Sequence, residues 1–348
     1  MIADAKIKTR ILIISDTHGQ VPYTRADGSP DTEDELGSDE LDRVPTGFRD
    51  PLPKADVVLH CGDLTMNSAP EEYRKTFSML RKLQAPIKLV IAGNHDRALD
   101  RSLWEKQRLF RPERLPWADE AKSIIEEARA DGVIYLDEGV HTFDLENGAR
   151  LRVYASPWTP QYGSWGFQYD NGHNFEIPSD VDVAMTHGPP YQVLDLAGFD
   201  LTNAGCPDLL KSIYMAKPQI HCFGHIHEAW GGYLARWKEQ DGPHAIPKHI
   251  IDDEKSVLIK KRKDLSLPFR NLRIEDFGAN VEKRKALVEI SRRRGVYVDL
   301  TEGDTHLQQG EATLFLNAAI MSIRYRPINP PWLVDLNLPA TEQTSTSS

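Results

Sequence analysis

The stretch Ile11-Leu12-Ile13-Ile14-Ser15-Asp16-Thr17-His18-Gly19 governs the reading of the whole chain. Four aliphatic residues stop abruptly, and an aspartate, one spacer and a histidine follow. Side chains alternate faces along a strand, so Asp16 and His18 leave the end of a buried strand in the same direction. A carboxylate beside an imidazole is half of a metal site. Alone the pair is weak, because an aspartate at a strand end also makes ordinary turns.

The bulk of the chain sets the frame for that pair. Its 348 residues, 40% of them hydrophobic, suffice for a large core. A net charge of -10 disfavours a general nucleic-acid binder. Cys61, Cys206 and Cys222 are odd in number and far apart, which fits a reducing compartment better than a disulfide framework. Residues 1–10 are polar and lack the apolar segment of a secretory signal. No run approaches the roughly 20 apolar residues of a membrane span. The expectation is a soluble, cytoplasmic globular protein with no membrane partner.

The opening pattern returns along the chain. Residues 20–54 are polar and acidic and read as a long surface loop. An apolar strand then ends in Gly62-Asp63, and a helix follows from Pro70 with Tyr73, Phe77, Leu80 and Leu83 on one face. A third strand, Ile87 to Ala92, ends in Gly93-Asn94-His95-Asp96. Strand, helix and strand in this order imply a parallel crossover. A second amphipathic helix is predicted over 119–130, a short strand over 133–136, and a hairpin over 143–154 about Asn147-Gly148. Val181 to Thr186 reads as a strand ending in His187-Gly188, and 206–216 as a helix. Ile220 to Phe223 is a strand ending in Gly224-His225-Ile226-His227. Sites of open α/β sheets lie beyond the carboxyl ends of strands, where all five of these groups fall. From 235 to 308 the composition turns basic, with one helix expected near 280–294, capped by Asn280 and stopped by Gly295. Core character resumes over 312–320 and in a Pro-rich strand ending near Leu338, before a disordered polar tail over 341–348.

The collected donors are Asp16, His18, Asp63, Asn94, His187, His225 and His227. Imidazoles, carboxylates and one amide oxygen suit manganese, iron or zinc better than calcium. Seven donors exceed the needs of one four- or five-coordinate ion. Two ions about 3.5–4 Å apart would use them all and suit phosphoryl displacement.

In order and spacing, Asp16-Thr17-His18, Gly62-Asp63, Gly93-Asn94-His95-Asp96, His187 and Gly224-His225-Ile226-His227 resemble the five blocks of the calcineurin-like metallophosphoesterase superfamily. The resemblance covers about 10–234 and 311–338. Ser156-Pro157-Trp158-Thr159-Pro160, Thr186-His187-Gly188-Pro189-Pro190, the stretch from His221 to Glu228 and Asn317-Ala318 more narrowly resemble the metallophosphoesterase-domain-containing branch, within the class III cyclic-nucleotide phosphodiesterase-like group. It implies a single domain over 1–340, a four-layer α-β-β-α sandwich, with an acidic insertion at 20–54 and a basic one at 235–308. It further implies two metal ions, one on Asp16, His18 and His227, the other on Asn94, His187 and His225, with Asp63 bridging. The nucleophile is then a hydroxide held by the metals. His95 assists the leaving group, and Asp96 is expected to orient His95. The implied substrate is a small phosphodiester, cyclic or linear nucleotides being favoured.

Two other functions fit the same motifs: a phosphomonoesterase or protein phosphatase, and a non-catalytic scaffold of the same fold. The scaffold ranks low because no motif residue is missing. His60 and His221 are expected to point away from the metals, and Cys61 and Cys222 to pack as small hydrophobes. Trp158, Tyr162, Trp165 and Phe167 are read first as core, with base stacking as the functional alternative. Arg292-Arg293-Arg294 complements a helix C-terminus, and Asn317 serves a turn or strand edge. The oligomeric state is not legible.

Overall fold

A computed structural model describes residues 5–24, 47–107, 112–114, 116–198, 200–238, 250–265 and 277–341. The acidic run from Asp27 to Asp42 and the tail beyond 341 lie outside the described residues.

Among the described residues thirteen strands build the two large sheets. In chain order they are β1 Lys6–Ile14, β2 Val57–His60, β3 Ile87–Val90, β4 Val133–Tyr135, β5 Gly139–Asp144, β6 Arg150–Ser156, β7 Val183–Thr186, β8 Ile220–Phe223, β9 Gly231–Arg236, β10 Val257–Lys261, β11 Val296–Asp299, β12 Ala312–Asn317 and β13 Trp332–Pro339. The first sheet has the order β11-β13-β1-β2-β3-β4. Strands β1 to β4 are parallel, while β13 runs antiparallel to β1. The second sheet has the order β10-β9-β12-β8-β7-β6-β5, with β6, β7, β8 and β12 parallel.

Alternation along single strands creates the layers. Ile11 and Ile13 enter the apolar space between the sheets, where Leu59, Val153, Met185, Cys222 and Leu316 meet them. Leu12 and Ile14 point the other way, toward Tyr73, Phe77 and Leu80 of helix α1 (Pro70–Lys82). Helix α3 (Pro116–Ala128) joins them with Ile124 and Ile125, while the short α2 (Arg101–Gln107) lies between the two in sequence. On the far side, Phe223 of β8 and Phe315 of β12 pack against Leu209 and Ile213 of α4 (Pro207–Ala216). The order is helix, sheet, sheet, helix, the expected four layers. Each fully buried aliphatic side chain contributes about 1.5–3 kcal/mol. Cys61 and Cys222 are buried in the inner layer, as small hydrophobes would be.

The predicted hairpin is present, and Asn147 receives the Ala149 amide on its side-chain oxygen at 3.0 Å. The basic segment differs from expectation. β10 pairs antiparallel with β9 and extends the second sheet, and β11 pairs in parallel with β13 and extends the first. Both strands are short and carry polar residues, so their pattern is visible only beside a partner strand. Helix α5 spans Phe277–Arg293, so Asn280 is inside it and is not its cap.

The β11 edge is fastened by charge. Arg10 Nε donates to Asp335 at 2.8 Å, Tyr297 Oη donates to Asp335 at 2.6 Å, and Lys8 Nζ reaches Asp299 at 2.7 Å. Burial opposes ionisation of Asp335, but the Arg10 and Tyr297 hydrogen bonds hold its carboxyl below the usual range. A carboxyl depressed in this way adds stability above its unfolded pKa of about 4 and loses it as pH falls through the folded value. Asp335→Asn is therefore expected to cost about 2 kcal/mol at pH 7, in the range of hydrogen bonds to charged groups. In urea melts the difference from the parent chain should shrink below about pH 4; a difference constant with pH would disprove the assignment.

Candidate dinuclear metal site

Two backbone crossings bring the strand ends together. Ser15 through Gly19 zip onto the loop after β2, with Asp16 N–H on Gly62 O, His18 N–H on Asp63 O and Gly19 N–H on Leu64 O, each at 2.9 Å. The chain leaving β12 crosses between the sheets: Ala318 N–H donates to Phe223 O at 2.7 Å and Ile320 N–H to Ser15 O at 2.9 Å. Side chains complete the joint, since His225 N–H meets both Asp16 oxygens at 3.0 and 3.1 Å and His187 Nδ1 faces Cys61 O at 2.9 Å.

Turning this sharply strains the backbone. Asp16, His18, Asp63 and His225 have φ of 53°, 45°, 53° and 66°, a left-handed region that residues with a β-carbon seldom occupy. The neighbouring glycines answer to crowding. A β-carbon on Gly224 would overlap the Asp16 carboxylate, and one on Gly93 would overlap Asp63.

All seven predicted donors converge. His227 Nε2 lies 3.3 Å from Asp16 Oδ1 and 3.4 Å from His18 Nε2. His18 Nε2 is 3.5 Å from Asp63 Oδ2, whose other oxygen is 3.4 Å from His187 Nε2. Asn94 Oδ1 closes the chain, 2.8 Å from His187 Nε2 and 2.7 Å from His225 Nδ1. Asp63 therefore stands between two groups of donors.

The protonation pattern suits cations. His18 Nδ1 faces Thr65 O at 3.0 Å, His187 Nδ1 faces Cys61 O, and His227 Nδ1 faces Ser322 O at 3.2 Å. A carbonyl accepts only, so each Nδ1 carries a proton, which leaves Nε2 of His18 and His187 free to present a lone pair to the cluster. Burial opposes the charge on His227, but its hydrogen bond with Asp16 raises it, so there Nε2 is protonated as well. Burial brings His18 down to about 4 despite Asp63 and Asp16, and brings His225 down to about 3. Burial resists the charge on Asp16, yet its hydrogen bond with His227 holds the carboxyl far below the usual range. Neutral imidazoles and ionised carboxylates are the forms that bind metal.

His95 adjoins this ring, its Nδ1 on Met66 O at 2.8 Å and its amide on Asp63 Oδ1 at 2.8 Å. Asp96 does not orient it. The Asp96 carboxylate instead receives the amides of Gly93 (2.9 Å), Leu64 (3.0 Å) and Thr65 (3.0 Å) and the Thr65 hydroxyl (2.7 Å). It ties the loop after β3 to the loop after β2, because its side chain turns back under the chain. His60 and His221 remain outside the ring, their Nε2 atoms at 2.8 and 2.9 Å from the hydroxyls of Thr17 and Thr186, the residues before two donors. Asn317 does more than edge a strand: its Nδ2 donates to Ile226 O at 2.9 Å, between His225 and His227.

The donors open into a cleft of about 710 Å³. Tyr162, Trp165, Asp200, Glu228 and Tyr325 help line it. Of the predicted aromatic core, Phe167 is buried but Trp165 and Tyr162 face the cleft. Sequence reasoning missed Tyr325 and Met66, for neither a turn tyrosine nor a main-chain carbonyl carries a motif.

A family model described as calcineurin-like phosphoesterase matches residues 9–229. Metallophosphoesterase domain-containing protein 1 of Homo sapiens is 32% identical over 190 residues, 52% of this chain and 56% of that protein. The probable rhamnogalacturonate lyase C of Emericella nidulans is 36% identical over 191 residues, 53% of this chain but 16% of that protein. UPF0046 protein K07C11.7 of Caenorhabditis elegans is 27% identical over 229 residues, 64% of this chain and 73% of that protein. The chain thus aligns with about half, or far less, of the first two relatives.

Asp96→Ala should strip the acceptors from three amides, each buried unpaired donor costing about 1–3 kcal/mol. The expected result is a lower urea midpoint with an unchanged slope. An unaltered midpoint would show that the two loops hold together without this carboxylate.

Proposed function

Given that this chain belongs to the calcineurin-like phosphoesterase family, we propose that it is a dinuclear-metal phosphodiesterase acting on small esters, with cyclic or linear nucleotides as the favoured class. The observation that carries the proposal is the unbroken run of contacts Asp16, His227, His18, Asp63, His187, Asn94, His225. One ion would be held by Asp16, His18 and His227 and the other by Asn94, His187 and His225, with Asp63 shared. Manganese, iron and zinc all suit these donors. When bound, the pair would polarise the phosphoryl group and lower the pKa of a water between them.

The protein's own groups do the rest. The Asp63 carboxylate is fixed by the His95 amide, so both its oxygens keep their directions. The Thr65, Cys61 and Ser322 carbonyls lock the ring orientations of His18, His187 and His227. With Nδ1–H engaged by Met66 O, His95 has Nε2 for the leaving oxygen. Carrying a second proton on Nε2, the imidazolium gives that Nε2 proton to the leaving oxygen as the phosphorus–oxygen bond breaks, keeps Nδ1–H on Met66 O and emerges neutral. Asp200 and Glu228 line the cleft, and their charge favours a monoanionic diester over a dianionic monoester or a long polyanion.

Metal analysis of the purified chain should find two ions, and manganese should support turnover of bis-p-nitrophenyl phosphate. One ion or fewer with no turnover would overturn the proposal, and monoester rates above diester rates would replace the substrate class. Asp63→Ala should lose both ions and essentially all activity. His95→Ala should keep the ions and lose about 10²–10⁴ in rate. That loss should be smaller for p-nitrophenol esters, which need little protonation. Equal losses on good and poor leaving groups would contradict the acid role, and loss of an ion would make His95 a ligand.

A further inference from the structure

We propose that Trp165 and Tyr325 form an aromatic clamp that receives a planar arm of the ester on the His95 side of the site. The proposal rests on the phosphoesterase reading and adds what the cleft selects.

Trp165 packs on the His95 ring at 4.2 Å between centroids with the planes tilted by 31°. Its place is rigid. The next residue, Gly166, donates its amide to Asn94 O at 2.9 Å, and the Phe167 amide donates to Asp100 at 2.8 Å. The Arg97 guanidinium sits 5.3 Å from the Trp165 ring centroid, a favourable cation–π distance.

Tyr325 approaches from another element. Its ring centroid lies 5.2 Å from His18, 5.2 Å from His227 and 6.3 Å from His95. It is 45% exposed beside buried polar donors, so part of its ring faces the cleft. The turn that carries it is closed by Tyr325 N–H on Ser322 O and Ser322 N–H on Arg326 O, each at 2.8 Å. Ser322 O also receives His227 Nδ1, so the turn and the donor ring are one unit. Within that turn Tyr325 has φ of 52°. Glycine fills this conformation without strain, whereas an aromatic residue opposes it. A strained tyrosine half-exposed above metal donors points to a role for the ring outside folding. Its position and that of Trp165 flank His95, where the departing arm of a substrate would lie. Aromatic faces there favour a planar π-system over an alkyl chain.

The test uses the full chain loaded with manganese and two monoanionic, non-hydrolysable probes, methyl(phenyl)phosphinate and dimethylphosphinate, titrated by calorimetry. The parent chain should bind the phenyl compound about 10-fold or more tightly, the range of stacking on an aromatic side chain. Tyr325→Phe should keep that preference. Tyr325→Gly and Trp165→Ala should reduce it toward one. Tyr325→Gly should melt no lower than the parent, since glycine relieves the turn, and this separates recognition from structural support. A parent chain without preference, or Tyr325→Gly with the preference intact, overturns the clamp even if bis-p-nitrophenyl phosphate is hydrolysed. Preference without any hydrolysis leaves the clamp standing and removes the phosphoesterase reading. Binding of neither phosphinate overturns both.

Discussion

Two carboxylates buried within one small volume are the constraint on which this structure depends. Asp16 is wholly inaccessible and Asp63 nearly so, and both are surrounded by imidazoles rather than by lysine or arginine contacts among the described residues. Removing such charges from water costs several kcal/mol per ion unless positive charge or directed hydrogen bonds replace the hydration. Main-chain amides supply part: His225 donates to Asp16 and His95 to Asp63. His227 supplies more to Asp16, but the inward lone pairs of His18 and His187 cannot supply the remainder, because they are acceptors too. A bound cation would reconcile converging acceptors with burial, and the Nδ1 contacts to carbonyls hold the His18 and His187 rings ready for it.

The fold holds this arrangement against the strain of the site. Left-handed turns at four of the donors each cost of order 1–3 kcal/mol. They persist because the strands leading into them are anchored on both faces, as β1 shows with Ile11 and Ile13 inward and Leu12 and Ile14 outward. Gly224 and Gly93 permit the final approach of chain to carboxylate. Asp96, sitting beneath His95 without touching it, belongs to the same scaffold. Its four donors join two loops that must not drift if Asp63 and Asn94 are to keep their spacing.

The basic segment illustrates how an addition to a fold can be structural. Its two strands lengthen opposite edges, β10 on one sheet and β11 on the other. The second buries Val296 and Val298 in the core between the sheets and is pinned along its exposed side by Arg10, Lys8 and Tyr297 to Asp335 and Asp299. The first ends at Lys261, and Arg262 N–H continues onto Trp230 O at 2.9 Å, close behind the ligand loop.

By itself the sequence determined the strands and the seven candidate donors, because both are written in local pattern, while the four-layer sandwich followed from the family resemblance those motifs carry. An apolar run followed by Gly-Asp or Gly-His needs no distant partner to be read as a strand delivering a side chain at its carboxyl end. The helix faces of Tyr73, Phe77 and Leu80 are equally local. Tertiary structure alone decided what the second layer of residues does. Asp96 and His95 are adjacent in sequence, yet the carboxylate turns toward Leu64 and Thr65 and leaves the imidazole to Met66 O, a choice set by which loop lies beneath. Strands β10 and β11 became visible beside β9 and β13, since short polar strands take their conformation from a neighbour's hydrogen bonds. Tyr325 came to the cleft through the crossing of the chain between the sheets, 160 residues after Trp165. No periodicity records such a meeting, because it depends on how the two sheets are laid together.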